Sequence, residues 1–134
     1  HALPWENLDA FSSMVMEKRL RQLNEVAPEV TTFFDRGIPD VLAYMEHDKL
    51  EIPLHIKQAA QLAQYNQLVF VTPPWKEIYC TDSERMEDFE KACSLHLMIE
   101  KTYADLGYEL VYVPFDSAES RASFVLDTIQ NHEK

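Results

Sequence analysis

Three short runs built almost entirely from strand-forming residues constrain the fold most. They are Val30-Thr31-Thr32-Phe33-Phe34, Leu68-Val69-Phe70-Val71 and Leu110-Val111-Tyr112-Val113 following Glu109. Each is too short for a helix and rich in β-branched and aromatic residues. Each is also continuous rather than alternating, the pattern of strands covered by helices on both faces. Segments with helical periodicity lie between them. The spacing predicts helices from an Asn7 or Asp9 cap to about Ala27, from Pro39 to about His47, from Leu54 to about Gln64, and from Glu84 to Leu106. A last helix is expected after Asp116, with Glu119 completing a capping-box-like start. Alternation of this kind implies an α/β fold with a parallel sheet and right-handed crossovers. At 134 residues the chain reads as a single domain, 1–134.

The first run ends in Asp35-Arg36-Gly37-Ile38-Pro39-Asp40. Gly37 is expected to take a positive-φ turn, and Pro39 suits the first turn of a helix, where its missing N–H costs nothing. Asp35 and Arg36 then lie at the carboxyl end of a buried strand, the edge where open α/β sheets bind ligands. Two readings are open on the residues alone. The pair does metal and phosphate chemistry, or Asp35 caps the turn and Arg36 is a solvated surface residue.

Only two glycines, Gly37 and Gly107, occur in the chain, far below a usual share of roughly 7%. A glycine-rich phosphate loop is therefore impossible within these residues. The sequence starts at His1 rather than Met, and the expectation is that it is a fragment. A formal net charge of -11, from 23 acidic against 12 basic side chains, repels phosphate backbones and anionic membranes. No apolar run approaches the ~20 residues of a membrane span. Cys80 and Cys93 fit no C-x-x-C pattern, which points to a reduced, cytoplasmic protein.

Other features have plain structural readings. Glu17, Lys18, Arg19, Arg21 and Glu25 form the solvated face of the first helix. His47, His55 and His96 fit no metal-ligand spacing, and His96 has no evident partner. Residues 75–85 read as loop. Ala92, Leu95, Ile99, Tyr103 and Leu106, widened by Phe89 and Cys93, form the buried stripe of the long helix, which Gly107 ends. Ala118, Ala122, Val125 and Ile129 form the stripe of the last one. Trp75, after two prolines, reads as a packing anchor.

Four blocks taken together carry a family resemblance. They are Ala2-Leu3-Pro4-Trp5; Phe33 to Asp40 with Ala43-Tyr44; Pro73 to Tyr79 with Asp82 and Glu84-Arg85; and Leu106-Gly107-Tyr108-Glu109-Leu110. The chain resembles the small AAA-like predicted ATPases, P-loop proteins similar to nucleotide kinases, over essentially its whole length. The resemblance implies a three-layer, nucleotide-kinase-like parallel sheet with helices on both faces. Its first strand, the Walker A loop and the following helix belong to a segment upstream of residue 1. That strand is expected between residues 30–34 and 68–71.

By the same resemblance Asp35 is the Walker B-type carboxylate that positions Mg²⁺, a metal with one protein anchor in this chain. Arg36 meets an acceptor phosphate, as its planar fork suits. Arg85 sits in a lid of about residues 75–90, where a positive charge stabilises a transferring phosphoryl group. Its alternative is an ordinary ion pair near the helix start. Pro114 borders the adenine, or merely terminates a strand. ATP and Mg²⁺ are the implied cofactors, both conditional on the upstream P-loop, with an unknown small-molecule acceptor. The rival expectation is a non-catalytic interaction or regulatory module, without a working nucleotide site, whose sheet edges are closed by homo-oligomerisation.

Overall fold

The computed structural model describes residues 8–27, 29–79 and 83–132, with side chains described for 12–27, 29–78 and 88–132. The chain divides into two compact units, His1–Asn66 and Gln67–Lys134.

The first unit is helical among its described residues. It contains α1 (Leu8–Asn24), α2 (Ile38–His47) and α3 (Leu54–Leu62), and both α1 and α3 pack on α2. Ile38, Val41 and Met45 recur at helical spacing on α2 and are almost wholly excluded from solvent, together with Ala43. Met16 of α1 and Ile56 and Ala60 of α3 complete this core. Burying each Ile or Met contributes about 1.5–3 kcal/mol, so α2 is held mainly by its apolar face. The charged face of α1 is exposed as expected, apart from Arg19, which is half-buried. The helix ends at Asn24 rather than Ala27; the proline at 28 disfavours helical backbone in the residue before it.

Residues 30–34 do not form the expected buried strand. Their backbone makes no ladder among the described residues, Val30 to Phe33 are exposed, and Phe33 keeps 61% of its surface in solvent. Only Phe34 is half-buried, its ring meeting Tyr65 edge-on at 5.5 Å. A strand exists only where a neighbour completes its hydrogen bonds. Residue type shows fitness for a sheet, not the presence of one.

The second unit holds a two-stranded parallel sheet. Strand β1 (Leu68–Val71) pairs with β2 (Glu109–Tyr112) in the register Leu68 to Glu109 and Val71 to Tyr112. Glu109 N–H to Gln67 C=O and Val113 N–H to Val71 C=O, both 2.9 Å, extend the ladder at each end. Between the strands run α4 (Lys76–Tyr79) and α5 (Ser83–Asp105), and α5 packs on β2. Helix α6 (Ala118–His132) follows. The sheet is less covered than its apolar runs predict: Val71 and Val113 are buried, but Tyr112 is 49% exposed. With only two described strands, each strand is also an edge.

The end of α5 follows the expected glycine stop closely. Gly107 adopts φ +94, its N–H bonds Ala104 C=O at 3.0 Å, and Tyr108 N–H reaches back to Tyr103 C=O at 3.1 Å. The accompanying apolar contact is Tyr103 against Tyr108, 5.6 Å between ring centroids. These are the paired bonds and hydrophobic contact of a Schellman motif. Three expectations differ from what is seen. Residues 76–79 form a helical turn rather than loop. The cap of α6 is Ser117, whose Oγ accepts Ser120 N–H at 3.2 Å, so the box expected from Asp116 and Glu119 is displaced by one residue. Asp116 Oδ1 instead accepts Ser117 N–H at 2.7 Å. Ala118 and Ala122 are exposed and α6 buries no residue fully; its half-buried side runs through Arg121, Phe124, Val125, Thr128 and Ile129.

Candidate functional site

The Asp35-Arg36 pair lies at a tight bend between an extended segment and the start of α2, with both residues exposed. The residue that bends the chain is not the glycine. Gly37 is extended, with φ -139 and ψ -178, and Arg36 takes the left-handed conformation at φ +74. Side chains make that conformation uncommon and costly by about 1–2 kcal/mol, so it persists only where surrounding contacts hold it.

Asp40 supplies much of that hold. It is the third helical residue of α2 and is 3% exposed. Its Oδ1 accepts Gly37 N–H at 3.0 Å, and its Oδ2 accepts Arg36 Nη1 at 3.3 Å. A carboxylate at this position also meets the positive end of the helix dipole. The carbonyl of Gly37 accepts Asp40 N–H at 3.2 Å and Arg19 Nη1 at 2.7 Å. The amide of Ile38 donates to the Tyr65 hydroxyl at 2.9 Å. The Gly37 amide and carbonyl and the Ile38 amide thus each have a defined partner.

The Arg36 guanidinium lies 6.0 Å from the centre of the Tyr44 ring, and its side chain remains 49% exposed. Burial alone would lower its pKa. Electrostatic attraction from Tyr44, Asp40 and Asp35, with the Asp40 hydrogen bond, outweighs burial and raises it. Arg36 is therefore a permanent cation with one edge engaged by Asp40 and much of its fork open to solvent. A fork of this kind donates to the oxygens of a phosphate or carboxylate.

Asp35 is an exposed carboxylate next to this cation. No group of three or more His, Cys, Asp or Glu poised for a metal occurs among the described residues. One open carboxylate fits Mg²⁺, which takes one or two protein oxygens and fills its octahedron with water and substrate phosphate. It does not fit a metal that needs an all-protein cage.

The second unit holds the other two predicted site residues. Arg85 lies in the first turn of α5, and its side chain falls outside the described residues, as do Asp82 and the side chain of Tyr79. Pro114 is exposed two residues past the end of β2. Beside it Phe115 stacks on Trp75 at 4.9 Å and 19°, and the Arg121 guanidinium lies 5.8 Å from the Trp75 ring centre. Further along α5, His96 does have a partner: it pairs with Glu100 one turn on, and Glu100 accepts the Tyr112 hydroxyl at 3.0 Å. That hydrogen bond is the main cause raising the Tyr112 pKa above its ordinary value. His47 contacts Asp48 at 3.3 Å.

Three residues of the bend were not singled out from sequence. Asp40 carries a detectable signal, an acid three residues after Gly37 at a helix start. Arg19 and Tyr65 lie 18 and 27 residues from their partners, and no local pattern marks them. None of the described helices is long and apolar enough to cross a membrane.

Comparison of the chain with curated proteins and with solved structures returned no match. A family model described as AAA domain matches residues 1–121, nearly the entire sequence and every residue of the Asp35–Asp40 bend. The chain accordingly belongs to the AAA domain family, an AAA-like family of P-loop NTPases.

Proposed function

We propose that the protein is an ATP-binding P-loop ATPase or kinase-like phosphotransferase. In this reading Asp35 positions Mg²⁺ and Arg36 meets an acceptor phosphate. Arg85 acts from a lid, Pro114 borders the adenine, and the glycine-rich cradle lies in chain preceding residue 1. A three-layer, nucleotide-kinase-like sheet goes with this proposal. The observation that carries it is the geometry of the bend in a member of the AAA domain family. An exposed carboxylate adjoins an exposed, permanently charged guanidinium, and the two peptide groups that follow are held by Asp40, Arg19 and Tyr65. Mg²⁺ held through Asp35 would supply positive charge against the developing phosphate charge. The chain's own contribution is to aim Asp35 and Arg36.

Asp35→Asn in the full-length protein tests the assignment. The substitution keeps size and removes the charge of a solvent-exposed side chain, so the melting temperature should stay within about 2 °C of wild type. Mg·ATP turnover should fall by roughly a hundredfold or more, as expected when a metal-positioning group is lost. Wild-type turnover in this variant would remove the metal role from Asp35.

A further inference from the structure

We infer that Arg19 and Tyr65 are positioning residues for the Asp35-Arg36 pair, acting through the two peptide groups that follow it. The inference rests on the reading of that pair given above. The amide of the first peptide, Gly37 N–H, is held by Asp40. The second is held at both ends: its carbonyl by Arg19 Nη1 at 2.7 Å and its amide, Ile38 N–H, by the Tyr65 hydroxyl at 2.9 Å. Rotation of either peptide would change ψ of Arg36 or the dihedrals of Gly37, and with them the direction in which Arg36 leaves the chain. Glycine is the residue that resists such rotation least.

Tyr65 also grips the other side of the pair. Its ring meets Phe34, the residue before Asp35, at 5.5 Å and 80°. One side chain therefore touches the chain just before and just after the two charges. Arg19 reaches the same turn from α1, so the pair is fixed relative to two other segments of its own unit. An arginine held at φ +74 needs such bracing, because an unbraced chain relaxes toward negative φ.

Tyr65→Phe is the sharpest variant, since it keeps the ring on Phe34 and deletes only the hydroxyl. Arg19→Met, Arg19→Lys and Arg36→Ala complete the set, all in the full-length protein. The measurements are Mg·ATP turnover, the exchange rate of the Ile38 amide and the Arg36 backbone coupling constant that reports φ. Tyr65→Phe and Arg19→Met should each fold cooperatively and lower kcat by about tenfold, with KM for ATP within roughly twofold of wild type, as misplacement rather than lost affinity requires. Arg19→Lys, which retains a donor, should recover most of the loss. In Tyr65→Phe the Ile38 amide should exchange at least about tenfold faster, since its protecting acceptor is gone.

Wild-type kcat in Tyr65→Phe and Arg19→Met, in a protein that Arg36→Ala inactivates, would overturn the inference. So would unchanged Ile38 exchange in Tyr65→Phe. Retained turnover in Arg36→Ala would instead sink the functional reading of the pair. The bracing then stands or falls on amide exchange and on the coupling constant, and wild-type values of both in the two variants would end it.

Discussion

At Gly107, where α5 stops, the left-handed residue is the glycine itself, at φ +94. At Gly37, where α2 starts, the glycine is extended and its neighbour Arg36 carries the positive φ of 74. The first turn uses glycine to avoid strain. The second places strain on a charged residue and holds it with buried and part-buried hydrogen bonds. Backbone strain stabilised in this way concentrates where a side chain must be aimed. Gly37 serves a different need there: its amide and carbonyl stay accessible to Asp40 and Arg19, although residues 37–40 are buried.

The contrast can be broken most decisively at Asp40. Asp40→Ala strips the acceptor from Gly37 N–H and the partner from Arg36, leaving a buried amide unpaired. We expect a loss of about 2–4 kcal/mol by chemical denaturation, from the cost of an unsatisfied buried group and a lost charge-assisted bond. A loss below about 1 kcal/mol would mean that Asp40 does not hold the turn. A smaller effect is expected at the other glycine. A Cβ on Gly107 meets nothing within 4 Å, so Gly107→Ala carries only the left-handed penalty. That should be about 1–2 kcal/mol, with no change in turnover. The smallest effect belongs to Arg36→Gly. Relief of the positive φ and loss of a half-exposed ion pair oppose each other, leaving stability within about 1 kcal/mol of wild type. Turnover in that variant should nonetheless collapse. Separation of stability from activity at Arg36, and its absence at Gly107, is what distinguishes an aimed residue from a helix stop.

Some of this was readable locally. The β1 run Leu68–Val71 and the glycine stop of α5 follow from patterns within a few residues, because a strand-forming run bounded by prolines and a helix closed by glycine are local devices. Residues 30–34 have much the same composition as β1 and yet form no strand, since a ladder depends on a partner remote in sequence. The assignment of positive φ to Gly37 failed for a related reason. Intrinsic preference favours glycine, while the contacts from Asp40, Arg19 and Tyr65 decide the conformation. His96 looked isolated because its partner Glu100 matters only once α5 is formed and the two share a face.

The order of residues alone determined that strand-forming runs alternate with helices, that the formal net charge is -11, and that an acid and an arginine stand side by side before a helix. It also carried the match to the AAA domain family over residues 1–121. Tertiary structure decided which residue bends the chain at that pair and which side chains hold the bend. The reason is physical. Propensity and periodicity act over a few neighbouring residues, whereas the hydrogen bonds from Arg19 and Tyr65 span 18 and 27 positions and form only when three segments of one unit have packed together.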